Sequence, residues 1–255
     1  MNKFESLNKF FDKVYVVTLK RSHDRHKALK ESLNGLNYEV FWGVDGKEED
    51  IDVLEGDGVY NHKLYNLNRL IKQEPSRKLN MGRVGCALSH VNIYKDIIDR
   101  KYSRVLILED DVTVVERYIN EFEKGILELP VEWDLLYLGH YGSRQQFSKS
   151  AKFKFAIYTI LNMCGLKKYN PKNFRKMFPR SYSNHLEYPG FHWGTHAYSV
   201  TLKGARKILG YQQPIIREAD NILAELCKYE LIKAYSLKRH LFIQDNDIVS
   251  TIVDK

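Results

Sequence analysis

The chain has 255 residues, is 44% hydrophobic and 28% charged, and carries a formal net charge of +8. That length allows a sizeable core, that composition argues against wholesale disorder, and no apolar run approaches the ~18 residues of a membrane span. The positive balance favours anionic partners such as nucleotides, phospholipid head groups or acidic glycans. With no zinc finger, RRM signature or basic recognition helix, no nucleic-acid partner is expected. Cys86, Cys164 and Cys227 are too widely spaced for a disulfide framework or a zinc pair, which favours a reducing compartment. Residues 1–10 contain no apolar signal core, so the expected location is cytoplasmic.

Lys13 to Leu19 is rich in β-branched and aromatic residues and predicts a first core strand. Ser22 or Asp24 can cap the next helix, with Leu29 and Leu33 on its apolar side and Gly35 as its stop. A strand end, a basic loop and a helix start together suit a phosphate or nucleotide, because helix N-termini attract anions. Arg21 and Arg25 either make charge-assisted contacts there or belong to a solvated first turn. Tyr38 to Trp42 predicts a second strand, so the opening unit is strand-helix-strand with a parallel sheet. Asp45 follows that strand and either bonds a base or ribose or makes an Asx turn before Gly46. Lys47 to Lys78 is polar and irregular and reads as a surface excursion.

From Gly82 a clear helix begins, with Val84, Leu88, Val91, Tyr94 and Ile98 at three- and four-residue spacing. Cys86 reads as a small buried filler, while Ser89 and His90 face either a site or the core. Val105 to Leu108 is a continuous apolar run, consistent with a strand buried on both faces. It ends in Glu109, Asp110 and Asp111. Ligands of open α/β sheets sit beyond the carboxyl ends of the strands. If the strand stays extended, Glu109 and Asp111 project the same way. Such a pair suits Mg²⁺ or Mn²⁺ bound together with substrate phosphates. The alternative is a polar loop whose acids cap the next helix.

Glu116 to Leu129 predicts a surface helix, and Glu132 to Leu138 a buried strand ended by residues 139–142. His140 and Tyr141 at that end are either acceptor contacts or part of a glycine-flanked turn. Residues 143–189 place an apolar centre between lysine clusters, with interleaved aromatics and arginines. That pattern suits a membrane contact, an acceptor lid, or a helical insertion packed on the domain. Ala197 to Val200 predicts another strand, Gly194 and Thr195 permitting close approach of a ligand, and Thr201 can cap the next helix. Residues 215–220 precede a further helix, Leu231–Leu237 and Leu241–Ile243 are terminal strands, and Gln244–Thr251 forms a final loop.

Several blocks, in order, resemble glycosyltransferase family 25. They are Val14-Tyr-Val-Val-Thr-Leu-Lys-Arg-Ser22 with Arg25, Gly43-Val-Asp-Gly46, Gly85-Cys-Ala-Leu-Ser-His90 and Leu106-Ile-Leu-Glu-Asp-Asp-Val112. Gly194-Thr-His-Ala-Tyr-Ser-Val200, followed by Lys203, Gly204 and Ala205, is similar to a later block. The match departs at Arg83, where the family block usually carries a glutamate. The family includes bacterial lipopolysaccharide β-galactosyltransferases and collagen galactosyltransferases.

The resemblance implies a GT-A type fold of the α/β class, with a Rossmann-like, mostly parallel sheet flanked by helices. It implies a UDP-sugar donor (typically UDP-galactose), a divalent cation (Mn²⁺ or Mg²⁺) and inversion at the anomeric carbon. Carried over, Glu109, Asp110 and Asp111 stand where the family's metal-diphosphate motif stands, and Leu19, Arg21 and Arg25 fall in its donor-side loop. An aspartate before a late helix lies near the acceptor in the family. This makes Asp220 the candidate base and Glu218 its substitute, although Asp220 can equally cap that helix. In several GT-A enzymes a late histidine completes the metal shell, so His240 is a candidate ligand, or else part of a basic patch with Lys238 and Arg239.

The expectation is therefore a single GT-A domain over residues 1–255, with an aromatic and basic insertion at about 143–190. Its function would be inverting, metal-dependent transfer of a hexose to a saccharide acceptor in lipopolysaccharide or another surface glycan. A lipid-linked acceptor would place it on the inner face of an anionic membrane. The competing expectations are a different UDP-sugar, a protein acceptor, or a non-catalytic glycan- or lipid-binding module on the same scaffold.

Overall fold

A computed structural model describes residues 2–61, 78–141, 147–166 and 170–245. α1 (Glu5–Phe10) leads into β1 (Lys13–Thr18), α2 (His23–Ser32) and β2 (Glu39–Trp42), the strand-helix-strand unit that the sequence predicts. β1 pairs in parallel with β2. Asp45 caps a 3₁₀ turn over Gly46–Glu48, and α3 spans Ile51–Gly56, so the predicted irregular excursion opens with ordered structure. Asp50 starts α3 by accepting from the Asp52 amide at 2.8 Å. Residues 62–77 of that excursion lie outside the described residues.

α4 (Met81–Arg100) crosses back, capped by Asn80, and feeds β3 (Arg104–Glu109) and β4 (Val112–Val114). α5 (Ile119–Glu128) and β5 (Leu135–Tyr141) follow. β5 begins later and runs further than expected. The buried Asp134 is the reason for the late start: its side chain accepts from the Lys233 amide at 2.8 Å and from Lys207, tying the approach down. His140 and Tyr141 therefore belong to the strand and not to a turn after it.

The stretch expected as an insertion forms α6 (Lys149–Met163), α7 (Pro171–Arg175), β6 (Arg180–Ser181) and β7 (Leu186–Tyr188). Both short strands join the main sheet. β8 (Trp193–Thr201), α8 (Leu202–Gln212), α9 (Ala219–Lys228), β9 (Ala234–Leu237) and β10 (Phe242–Gln244) complete the order. Thr201 caps α8 through the Gly204 amide at 3.0 Å, as its sequence position predicts.

The large sheet runs β2-β1-β3-β8-β5-β9-β7-β6. β8 and β7 are antiparallel to their neighbours, so six of its eight strands point one way. Helices cover both faces, as a Rossmann-like GT-A sheet requires. Val14, Val16, Leu106 and Leu108 share one core with Leu29, Leu33 and Phe122. Tyr15, Val105, Ile107 and Tyr198 share the other with Ile93, Tyr94, Ile208 and Leu223. Burial on both sides explains why β3 is an unbroken apolar run without alternation. β10 pairs with β4 in a small separate sheet, Gln244 opposite Val112.

Candidate active site

β3 delivers its acids to the carboxyl edge of the sheet, and each acid meets a different environment. Asp110 is buried and fully engaged: Thr18 Oγ1 donates to it at 2.6 Å and the Arg25 guanidinium pairs with its other oxygen. Glu109 accepts from Thr195 Oγ1 and lies 3.7 Å from His90 Nε2. Burial pushes the Glu109 carboxyl up, but contact with His90 and Thr195 outweighs it and the net direction is down. Asp111 accepts from Gln244 Nε2 at 2.9 Å through one oxygen, and its other oxygen, Oδ1, is buried without a partner among the described residues. Burial, and then the negative charge of Glu109, raise the Asp111 pKa to about 6.

These acids form one wall of a cleft of about 710 Å³, open solvent at its mouth included. Leu19, Arg21, Arg25, Asp45, Ser89 and His90 line it with them. So nine of the twelve candidate site residues, from four segments of the sequence, face one cavity. Arg21 pairs with Asp45 across it and holds that carboxyl below the usual aspartate range. Ser89 is spent on the backbone, accepting from the Val44 amide at 2.8 Å and donating to the Gly85 carbonyl at 2.7 Å. Its hydroxyl therefore fixes the wall and is not offered to a ligand. His90 bonds Tyr198 at 2.6 Å, and Tyr198 bonds Tyr94 at 2.8 Å, a buried chain that orients the imidazole toward Glu109. Gly46 and Gly85 let the wall close: a Cβ on Gly46 would stand 1.9 Å from the Met81 carbonyl oxygen, and one on Gly85 2.6 Å from the Gly46 nitrogen.

Asp220, Glu218 and His240 lie outside that lining. Asp220 sits in the first turn of α9 and accepts from the Gly194 amide at 3.1 Å and its neighbour Asn221 at 2.7 Å. Thr195, the next residue of β8, holds Glu109, so Asp220 stands beside the carboxylate wall. Burial raises the Asp220 pKa. Glu218 pairs with Arg83 at 2.9 Å. His240 lies with histidines and not with the acids: its Nε2 is 3.1 Å from His140 Nε2. Burial lowers its pKa to about 4.

Three neighbours of the acids were not singled out as site residues by sequence. Thr18 lies inside the first family block but reads there as a strand residue, and Gln244 belongs to no block; only the fold brings them to Asp110 and Asp111. Cys86, read as filler, groups with His90 and Glu109 closely enough for the three to share a metal ion.

A family model described as glycosyltransferase family 25 (LPS biosynthesis protein) matches residues 11–223. The chain belongs to glycosyltransferase family 25. Procollagen galactosyltransferase 2 of Mus musculus is 26% identical over 212 residues, covering 78% of this chain and 28% of that protein. A probable inactive glycosyltransferase 25 family member 3 of Bos taurus is 30% identical over 214 residues, covering 81% and 30%. The chain thus spans about 30% of the length of these curated relatives. Among solved structures, apo mouse xyloside xylosyltransferase 1 aligns over 92% of this chain and 66% of that one, at 14% identity and a TM-score of 0.34.

Membership of family 25 implies a nucleotide-sugar donor and makes a divalent cation a question of fit. Asp111 fits best, because its unpartnered Oδ1 is buried where a neighbouring carboxylate already repels it. Glu109, whose charge Asp111 feels, adds a second hard oxygen donor, and it is with Glu109, not Asp111, that His90 and Cys86 group. Asp110 does not fit, since both its oxygens are occupied by Thr18 and Arg25. No helix among the described residues is long and apolar enough to cross a membrane.

Proposed function

We propose that this family 25 chain transfers a hexose, galactose from UDP-galactose, to a saccharide acceptor with inversion at the anomeric carbon. The observation that carries the proposal is the buried, unpartnered Asp111 Oδ1 beside Glu109 in a cleft also lined by Arg21, Arg25 and Asp45. Galactose is favoured by the relatives named procollagen galactosyltransferases, and a lipopolysaccharide acceptor by the family description. A protein acceptor is the alternative within the same chemistry.

In this reading Glu109 and Asp111 hold Mn²⁺ or Mg²⁺. When bound, that ion neutralises charge on the departing diphosphate. Arg21 and Arg25, each paired with a carboxylate of the same wall, meet the diphosphate in this reading, and Asp45 meets the nucleoside. Asp220 takes the proton of the acceptor hydroxyl as its oxygen bonds the anomeric carbon and the bond to the diphosphate breaks. Its raised pKa moves it toward the basicity such a step uses. His90 and Thr195 position Glu109.

The exposed face of α6 extends the proposal to a peripheral contact with an anionic membrane that carries a lipid-linked acceptor. Phe153 is 71% exposed, Ile160 61% and Met163 82%, with the exposed Lys149, Lys152 and Lys154 beside them. This is an interfacial composition.

A second reading rests on the relatives named inactive: a glycan-binding module that has lost transfer. Hydrolysis and transfer assays over a panel of UDP-sugars, with and without Mn²⁺, separate the two. Turnover that prefers UDP-galactose and needs the metal supports the transferase. Binding of UDP without turnover of any sugar supports the module.

A further inference from the structure

Beyond the carboxylate cleft, the carboxyl half of β5 meets the turn before β8 and the short strand β7. His140 and His192 lie there face to face, ring centroids 3.5 Å apart and 11° from parallel. His240 reaches in from the approach to β10, its Nε2 3.1 Å from that of His140. Glu187 of β7 completes the group: one ligand atom each from His140, Glu187 and His192 lies within 4.8 Å of the others.

Burial makes this grouping costly as it stands. His140 is 5% exposed and His192 1%, and the Nδ1 atom of each has no hydrogen-bond partner among the described residues. The Glu187 carboxylate is half-buried and has no hydrogen bond or ion pair among the described residues. Native interiors rarely leave so many polar atoms unmet in one place unless something else meets them.

We infer that His140, His192 and Glu187 hold a zinc ion, with His240 as the fourth donor. Two imidazoles and a carboxylate form a zinc donor set. Two nitrogens on one tetrahedral zinc stand about 3.3 Å apart, near the separation of the His140 and His240 Nε2 atoms. The unpartnered Nδ1 of His192 is the nitrogen offered to the metal, while its Nε2 keeps the Gly190 amide at 3.1 Å. Mn²⁺ and Mg²⁺ favour oxygen donors, so this imidazole-rich group and the Glu109–Asp111 pair select different ions.

The consequence is architectural. Glu187 lies on β7, and β9 separates β7 from β5, where His140 lies. A shared ion would fasten the sheet edge formed by β6 and β7 to the central strands, and its binding free energy would add to folding. This inference does not depend on the transferase proposal.

Elemental analysis of the full chain, purified without added metal and dialysed against a weak chelator, tests it. The inference predicts about one zinc per chain in the wild type and in the cleft variant Glu109→Gln. Glu187→Gln, which keeps the side-chain shape, should weaken retention at least about 10-fold, and His240→Gln should weaken it too. Co²⁺ exchanged into the wild type should give the visible absorption of a tetrahedral site, and Glu187→Gln should lose it. Absence of bound zinc in the wild type, zinc unaffected by Glu187→Gln and His240→Gln, or zinc lost with Glu109→Gln would each overturn the inference.

Discussion

Arg83 and Glu218 meet at 2.9 Å, joining the first turn of α4 to the residue that precedes α9. Position 83 is where the family block usually carries a glutamate, so this chain places a cation there and matches it with an acid. Arg83 is about half exposed, which limits the pair to about 0.2–1 kcal/mol. Arg83→Glu should lower the unfolding free energy obtained from urea titration by at least that amount, and adding Glu218→Arg should restore most of it. No recovery in the double variant would show that the two side chains are not energetically coupled.

Asp220→Asn should leave UDP binding within about twofold of wild type and cut transfer by roughly 10²–10⁴. Calorimetry and initial-rate kinetics read the two quantities separately. Near-normal turnover would move the base to another side chain. Glu218→Gln is the next test, and a small effect is expected because Glu218 is already committed to Arg83.

Glu128 anchors the end of α5 to the loop before β7, receiving the Ser183 hydroxyl, the His185 amide at 2.9 Å and the His185 ring at 2.6 Å. Burial raises its pKa, but these contacts win and lower it to about 2. An unfolded glutamate titrates near about 4.3, so the folded pKa lies below the unfolded one. The resulting stability is present above pH about 4.3 and is lost as pH falls toward about 2. The side chain is a quarter exposed, which screens the effect to about 1 kcal/mol. Glu128→Gln should lower the melting temperature at pH 7, and the gap to wild type should narrow between pH 4.3 and 2. A gap that does not change with pH would contradict this.

The α6 face predicts binding to vesicles that contain anionic lipid. Phe153→Ser with Ile160→Ser should reduce cosedimentation at least about 10-fold, and raised salt should weaken the wild type as well. Equal binding by the double variant would remove α6 as the contact.

Much of the cleft was legible because its residues follow strand ends. Arg21, Asp45 and Glu109 each come just past a β-branched or apolar run, and a parallel sheet gathers such ends on one edge. What each acid does was not legible. Asp110 and Asp111 are adjacent and alike in sequence, yet Thr18 and Arg25 engage the first while the second keeps an unmet oxygen. The histidine group was invisible for a related reason. His140, Glu187, His192 and His240 come together through the pairing of β5 with β9 and β9 with β7, and no local spacing signals that. The late start of β5 had a similar cause, since Asp134 is tied down by Lys207 and Lys233 from distant elements.

Titration of UDP into wild type and Asp111→Asn, each with and without Mn²⁺, bears most directly on the cleft. Wild type should bind UDP far more tightly with the metal, and Asp111→Asn should lose at least about 10-fold of that gain while keeping its melting temperature. Equal, metal-enhanced affinity in both proteins would contradict the assignment of Asp111 and the account built on it.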